Sequence, residues 1–261
     1  MAETVTYQKE SGVGILTLNR PEVYNAFNGR MTQELTAALK EASKDPDVRA
    51  VMIQGAGKAF CSGQDLNDRS DLHVGNLSLG DSVRTRYNPM IRAITGMEKP
   101  VIASVGGVAA GAGCSLAFAC DIRIVSEKAK FIEAFIRIGL VPDSGSSYFL
   151  PRLVGFGRAM ELLMTGRDIL AEEAVKIGLA NRLVSHERLE EESFEFARKL
   201  AQAPTRAIGL TKRALWRAVD SELEEALEYE AQMQETAGKT EDFKEGVQAF
   251  TEKRVPEFRG K

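Results

Sequence analysis

Two glycine-bearing loops and two carboxylates are the features of this 261-residue chain best suited to chemistry. The first loop is Ala59-Phe60-Cys61-Ser62-Gly63-Gln64-Asp65-Leu66. The second runs from Gly106 to Gly113 and feeds Ser115-Leu116-Ala117-Phe118-Ala119, which reads as the start of a helix. A strand that passes through glycines into a helix leaves backbone N–H groups uncovered at the positive end of the helix dipole. Such a place suits an anion or a developing oxyanion. Two N–H groups converging on one oxygen make an oxyanion hole, and losing one donor costs about 3–4 kcal/mol of transition-state stabilisation. Each loop also has a plainer reading, a tight turn required by packing. Asp143, in the turn Pro142-Asp143-Ser144-Gly145, is the acid–base candidate. Either it caps the following helix through Gly145 or Ser146, or it is a carboxylate in an apolar pocket with its pKa raised toward the working pH. Glu133 is the other carboxylate within reach, and against it stands an ordinary solvated or ion-paired role. Asp65 and Asp121 read as structural acceptors of backbone N–H bonds.

Other chemistries fail on spacing. Gly111-Ala112-Gly113-Cys114-Ser115-Leu116 lacks the last glycine of a dinucleotide fingerprint, and no Lys-Ser/Thr follows Gly111 to make a phosphate loop. Ser115 has neither a nearby histidine nor a G-x-S-x-G context. The 2 histidines lie at no ligand spacing from the 3 cysteines, so no metal site is expected. Cys61, Cys114 and Cys120 read as free buried thiols of a reducing cytoplasm.

The elements that position these residues follow from periodicity. Strands are expected at Thr4–Gln8, Val13–Asn19, Ala50–Gln54, Val101–Val105 and Asp121–Val125. A helix is expected near Met31–Ser43, and another from a cap at Asp81 to about Met97. Residues 67–80 read as a polar, flexible segment beside the site, and Phe131–Phe135 as a short extended piece. Alternation of strands and helices over residues 50–125 argues for parallel βα units. Beyond the turn at Gly139–Gly145 the chain reads as almost wholly helical, with helices near 146–154, 157–165, 171–177, 188–203, 205–219, 223–237 and 240–253.

With 44% apolar and 27% charged residues the composition is that of a globular domain with a sizeable core. A net charge of −3 without a basic block argues against nucleic acid or an anionic membrane as partner. No signal peptide and no membrane-spanning run is read, and a cytoplasmic location is expected.

Several runs together resemble the crotonase, or enoyl-CoA hydratase/isomerase, superfamily. They are Leu18-Asn19-Arg20-Pro21, Ala59–Leu66, Lys99-Pro100-Val101-Ile102-Ala103, Ala110–Cys114, Cys120-Asp121-Ile122, Gly139-Leu140-Val141-Pro142 and Leu150-Pro151-Arg152. The resemblance spans nearly the whole chain. It implies an α/β fold with a ββα spiral core over residues 1–200. Over residues 201–261 it implies a helical region that makes a homo-trimer or a hexamer built as a dimer of trimers. It implies a coenzyme A thioester as substrate and no tightly bound cofactor. The N–H groups of Gln64 and Ala112 match the oxyanion donors. Tyr24, Ala26, Ala59, Ser62, Asp65, Leu66 and Asn67 match CoA- and substrate-side positions, although Asn67 stands where some hydratases carry a lysine. Phe250 and Lys253 match residues that reach a neighbouring subunit's CoA. The acyl pocket is expected to draw on Leu66, residues 67–95, Phe135 and Tyr148.

The hydratases of the family use two glutamates, and the matching positions here are Ser115 and Phe135. Asp143 instead matches the carboxylate of several isomerases. The runs Phe60–Arg69, Tyr87-Asn88-Pro89, Gly107–Gly113 and Pro142-Asp143 further resemble the branch that isomerises ring-1,2-epoxyphenylacetyl-CoA to an oxepin. The resemblance therefore implies an acyl-CoA isomerase, acting on such an epoxide or shifting a double bond between positions 2 and 3. A hydratase using Glu133 or Asp143 and a non-catalytic CoA-binding or partner subunit are the alternatives.

Overall fold

The computed structural model describes residues 3–67 and 78–261. Ten strands form two sheets among these residues. The larger sheet has the order β1 (Val5–Glu10), β2 (Val13–Leu18), β3 (Ala50–Gly55), β5 (Val101–Val105), β7 (Ile122–Ser126), β10 (Arg182–Val184). Only the β1–β2 hairpin is antiparallel within it. The smaller sheet has the order β4 (Ala59–Cys61), β6 (Val108–Ala110), β8 (Lys130–Ile132), β9 (Asp168–Leu170). Successive pairs, β3 then β4, β5 then β6, β7 then β8, each give one strand to each sheet. This is the ββα spiral.

The pattern of burial explains the layering. A strand sends alternate side chains to opposite faces, and both faces of the larger sheet are covered. Val51, Ile53, Val101, Ala103 and Val105 enter the main core together with Met31, Leu35 and Leu39 of helix α1 (Gly29–Lys44). Their neighbours Ala50, Met52 and Ile102 point the other way, onto Leu189, Ala197 and Ala201 of the helix Leu189–Gln202. Continuous apolar runs are what such doubly covered parallel strands require. Asn28 starts α1, its Oδ1 accepting the Met31 N–H at 2.8 Å.

Several expectations need correction. The stretches 59–66 and 106–113 are more than loops, because each contains a short strand, β4 and β6. Three-residue strands flanked by glycine carry too little periodicity to be read. Ser78, and not Asp81, caps the helical turn Leu79–Ser82, since its Oγ accepts the Asp81 N–H. A π-helical turn, Val83–Tyr87, leads from there into α2 (Asn88–Thr95). The extended piece at 131–135 ends at Ile132, and Phe135 lies in a 3-10 helix, Ala134–Ile138. The second half is not wholly helical, because β9 and β10 complete the two sheets. The flexible segment expected at 67–80 falls mainly on residues 68–77, which lie outside the described residues. The helices expected beyond the turn are otherwise present: α4 (Ser146–Val154), α5 (Phe156–Thr165), α6 (Ala171–Lys176), α7 (Leu189–Gln202), α8 (Thr205–Ala218), α9 (Leu223–Ala237) and α10 (Glu241–Glu252).

Helix α3 (Ala112–Ala119) is buried along its whole length. It crosses β4 so closely that a Cβ on Gly113 would stand 2.1 Å from the Cys61 carbonyl oxygen. At its far end Asp121 accepts the Val101 N–H at 2.8 Å and pairs with Lys212 of α8 at 2.8 Å, so this carboxylate is structural as expected. The cysteines are free and buried, also as expected. No helix among the described residues is long and apolar enough to cross a membrane.

The Gly113 contact yields a test. Gly113→Ala must push α3 and β4 apart inside the core, so we expect a loss of about 3 kcal/mol or more, at the upper end for an overpacked site. Equilibrium denaturant unfolding measures it.

Candidate active site

The site is assembled where α3 begins. Gly111 precedes the helix in a positive-φ conformation (φ 51°, ψ −123°) and offers no side-chain cap. Ser115 N–H is bonded back to the Gly111 carbonyl at 3.1 Å. Ala112 lies in the first turn, ahead of that bond, where N–H groups have no intrahelical acceptor. The first loop is threaded past this turn. Phe27 N–H donates to the Gly63 carbonyl at 2.7 Å and Asp65 N–H to the Phe27 carbonyl at 2.9 Å. In this parallel bridge the N–H of Gln64 faces away from Phe27. Gly63 has φ 90°, and a Cβ there would stand 2.7 Å from the Ala110 carbonyl and 3.5 Å from the Ala112 nitrogen. The structure thus brings the backbone beside Gln64 against the backbone at Ala112, as the two-loop reading anticipated.

The residues matched to CoA positions lie on the rim of the same region. Tyr24 and Asn25 are both left-handed, at φ 53° and 56°, a conformation that costs about 1–3 kcal/mol each in a non-glycine residue. Asn25 offsets that cost by being fully tied down. Its Oδ1 accepts the Arg20 N–H at 2.9 Å, and its Nδ2 donates to the carbonyls of Ala56 and Ala59 at 2.9 and 2.8 Å. Tyr24 then presents its carbonyl to the Ser62 N–H at 3.0 Å and leaves its ring exposed. Arg20 clamps the assembly, donating to the Ala26 carbonyl at 2.6 Å and to Asp65 at 2.9 Å. Asp65 also accepts the Asn67 N–H at 3.1 Å, so it is structural as read, with an ion pair that the sequence did not announce. Leu66 and Asn67 are exposed. Phe250 is 87% exposed on α10, and Lys253 caps that helix in a left-handed conformation. No hydrogen bond or ion pair among the described residues joins either one to the 24–26 or 59–67 segments.

On the other side of the α3 turn stand the aromatic and acidic groups. The Phe135 ring lies 3.8 Å from where a Cβ on Gly111 would be, so its place at the site is occupied by hydrocarbon. Asp143 does not cap α4 with its carboxylate. Its backbone carbonyl takes the Ser146 N–H at 3.0 Å and the Ser115 Oγ–H at 3.0 Å. Ser115 is therefore spent as a latch on the Asp143 turn. Among the described residues the Asp143 carboxylate accepts one hydrogen bond, from Ser144 Oγ at 2.8 Å. Burial pushes its pKa up, and the Ser144 bond only partly opposes that. Behind the turn, a hollow of 740 Å³ is lined by α2, Gly145, Tyr148, Phe149 and Trp216. A separate apolar cavity of 420 Å³ lies under α8, beside the Asp121–Lys212 pair and away from the α3 N-terminus. Gly145 of the Asp143 turn lines the first hollow. Tyr148 stacks on Trp216 at 6.0 Å and carries Arg152 over its ring at 3.6 Å.

Glu133 departs from its expected role. It is neither solvated nor ion-paired: it is 1% exposed, and Ser146 Oγ donates to its Oε1 at 2.9 Å. Among the described residues its Oε2 has no hydrogen-bond partner of good geometry, with only the Cys114 thiol near enough to favour its charge. The neighbouring Cys114 thiol is directed instead at the Ala109 carbonyl, 2.9 Å away. Desolvation lifts its pKa from an ordinary 4.5 to about 7, helped by the charge of Asp143. Sequence reasoning placed Ser146 at the Asp143 turn but missed its bond to Glu133 and the latch made by Ser115. Both are small hydroxyls whose partners are set by the tertiary fold.

The chain has many known relatives. The sequence pattern described as enoyl-CoA hydratase/isomerase matches residues 8–261. The 1,2-epoxyphenylacetyl-CoA isomerase of Escherichia coli K12 is 44% identical, over 100% of both chains. A Rhodobacter capsulatus protein named "Probable enoyl-CoA hydratase" is 43% identical, over 99% of this chain and 98% of its own. Among solved structures, an enoyl-CoA hydratase from Bacillus anthracis superposes with a TM-score of 0.93 at 34% identity, covering 99% of this chain and all of that one. The fold is that of the crotonases. The chain belongs to the enoyl-CoA hydratase/isomerase family.

The raised pKa values carry a stability prediction. An acid whose folded pKa lies above its unfolded one stabilises the fold below the unfolded value, and that contribution is lost as pH rises through the folded pKa. For Glu133, at about 7, the loss amounts to about 3 kcal/mol. Glu133→Gln should therefore gain Tm relative to the parent as pH goes from 5 to 8. Asp143→Asn should show the same sign. Parallel Tm–pH curves from differential scanning calorimetry would contradict both.

Proposed function

We propose that the protein is an acyl-CoA isomerase in which the N–H groups of Gln64 and Ala112 hold the thioester oxygen and Asp143 moves the proton. The observation that carries this reading is the combination at the α3 N-terminus. Two outward-facing backbone donors lie together, and Asp143, on the turn that Ser115 of α3 latches, is half-buried with one hydrogen-bond donor on its carboxylate among the described residues. A thioester with its carbonyl in such a hole has an acidified α-carbon. Asp143, ionised, takes a proton from C2 of a 3-enoyl thioester. The electron pair moves into the dienolate, whose oxygen charge the two N–H groups and the helix dipole stabilise. The protonated Asp143 returns the proton at C4, leaving the 2-enoyl thioester. In the ring-epoxide reaction the same carboxyl supplies the proton contact while the hole holds the thioester. The 44% identical isomerase named above supports an aromatic epoxide as the physiological acyl group.

The two positions that would carry a hydratase's glutamates hold Ser115, latched to the Asp143 carbonyl, and Phe135. Neither can activate water. Hydration remains the competing activity because relatives of both names exist. On this reading CoA lies over Tyr24–Ala26 and Ala59–Asn67, with Phe250 and Lys253 reaching it from a neighbouring copy. Residues 1–200 are the acyl-CoA-binding core, and residues 201–261 form the surface that builds a trimer or a dimer of trimers.

Three measurements decide this. Asp143→Asn should lower kcat about 10²–10⁴-fold, the usual worth of a general base, with CoA affinity within a few-fold. Full activity in that variant would rule the assignment out. Ala112→Pro removes one oxyanion donor at a first-turn position where helices accept proline, and should cost about 10²–10³-fold in kcat. Incubation with crotonyl-CoA should leave the enoyl absorbance intact, whereas a 3-enoyl-CoA should gain it. The opposite pair of results would make the protein a hydratase.

A further inference from the structure

We propose that Glu133 is a positioning residue of the active site, a buried carboxylic acid that braces the Asp143 turn through Ser146 and shares one negative charge with Asp143. The inference rests on the isomerase reading and deepens it.

Its ground is a chain of contacts. Ser146 is the joint: its Oγ–H donates to Glu133 at 2.9 Å while its backbone N–H donates to the Asp143 carbonyl at 3.0 Å. Ser115 Oγ–H reaches that same carbonyl from α3, also at 3.0 Å. The Asp143 turn contains two left-handed residues, Ser144 at φ 53° and Gly145 at φ 87°, so it needs such bracing. Glu133 is 1% exposed and has one oxygen with no partner of good geometry among the described residues. A carboxylate so placed is costly, and the proton is the cheapest way to neutralise it. Around it stand the Asp143 carboxylate on the turn and the Cys114 thiol on α3, while α4 contributes only the Ser146 hydroxyl and α5 ends beside its backbone at Gly166. The nearest cations along its own segment, Lys130 and Arg137, are both paired with Asp168. The Asp143 charge opposes ionisation of the more deeply buried Glu133, and two carboxyls whose environments differ in this way take different roles. Asp143, the less buried, is the ionised base. Glu133 is the neutral acid behind it. Once Glu133 ionises, a second negative charge stands near the developing enolate and slows its formation.

The test is the pH profile of kcat/KM for a 3-enoyl-CoA. In the parent enzyme activity should rise as Asp143 ionises and fall as Glu133 ionises. Glu133→Gln keeps an acceptor for Ser146 and should abolish the falling limb, with kcat lowered only a few-fold and KM nearly unchanged. Glu133→Ala removes the brace and should lose at least ten-fold more kcat than Glu133→Gln. A falling limb that survives in Glu133→Gln overturns the proposal. So does a loss in Glu133→Gln as deep as that of Asp143→Asn at every pH, which would make Glu133 catalytic. If the parent turns over no acyl-CoA, the isomerase reading fails, and infrared difference spectroscopy of the carboxyl bands decides the inference alone. A protonated carboxyl band at pH 6 that is lost in Glu133→Gln and titrates at lower pH in Asp143→Asn sustains the shared charge. Its absence from the parent overturns it.

Discussion

The structure depends on two places where backbone meets backbone with no side chain between. At one, Gly113 of α3 lies against the carbonyl of Cys61 in β4. At the other, Gly63 lies against the carbonyl of Ala110 and the nitrogen of Ala112. Any Cβ would hold these segments apart. Because none is present, the end of one strand–loop unit and the start of the next helix come within van der Waals contact. Two N–H groups from distant regions of the chain can then face one oxygen. The sheets supply the rigidity: β4 pairs with β6 and Phe27 bridges Gln64, so both walls of the site are anchored in ladders. Catalytic preorganisation here is a matter of backbone proximity, and the surrounding side chains mostly hold that backbone still.

A different balance governs the acid side. The turn at 143–145 is half-buried and strained at left-handed Ser144, and two serine hydroxyls and one serine N–H hold Asp143 in it. Ser115 Oγ–H and the Ser146 N–H satisfy the Asp143 carbonyl, Ser144 Oγ–H meets its carboxylate, and the Ser146 hydroxyl ties the turn to Glu133. Hydroxyls do this without adding charge. The carboxyl keeps a raised pKa, since burial is opposed by only one neutral donor. The basic groups of the region are engaged elsewhere, Arg20 with Asp65 and Lys212 with Asp121. Desolvation is the electrostatic theme among the described residues here, and it raises the proton affinity of both carboxyls, Asp143 and Glu133.

That theme also explains why family membership leaves the reaction open. The fold is shared by proteins named isomerase and hydratase, so the fold alone does not select the reaction. The reaction is chosen by which carboxyls surround the enolate. Here the α3 N-terminus is flanked by the hydrocarbon of Phe135 and the latched hydroxyl of Ser115, with Asp143 as a half-buried carboxyl on the adjoining turn.

Much of this was legible in the sequence. The buried strands were readable because doubly covered parallel strands must be continuously apolar. The long helices were readable because α1, α7 and α8 each bury one face. Asp143 and the two glycine loops stood out by residue type and spacing. The ββα repeat was not visible, because it is a repeat of backbone path, with its second strands only three residues long and no recurring side-chain pattern. Glu133 was misjudged for a related reason. A lone glutamate between Phe131-Ile132 and Ala134-Phe135-Ile136 reads as the one solvated or ion-paired position of an apolar run, and its burial follows from α3, α4 and α5 closing over it. The sequence by itself determined which residues could do chemistry and which segments had to be buried. Only the tertiary structure decided which backbone N–H groups are left free and which carboxyl loses its water, because both depend on what packs against a residue from elsewhere in the chain.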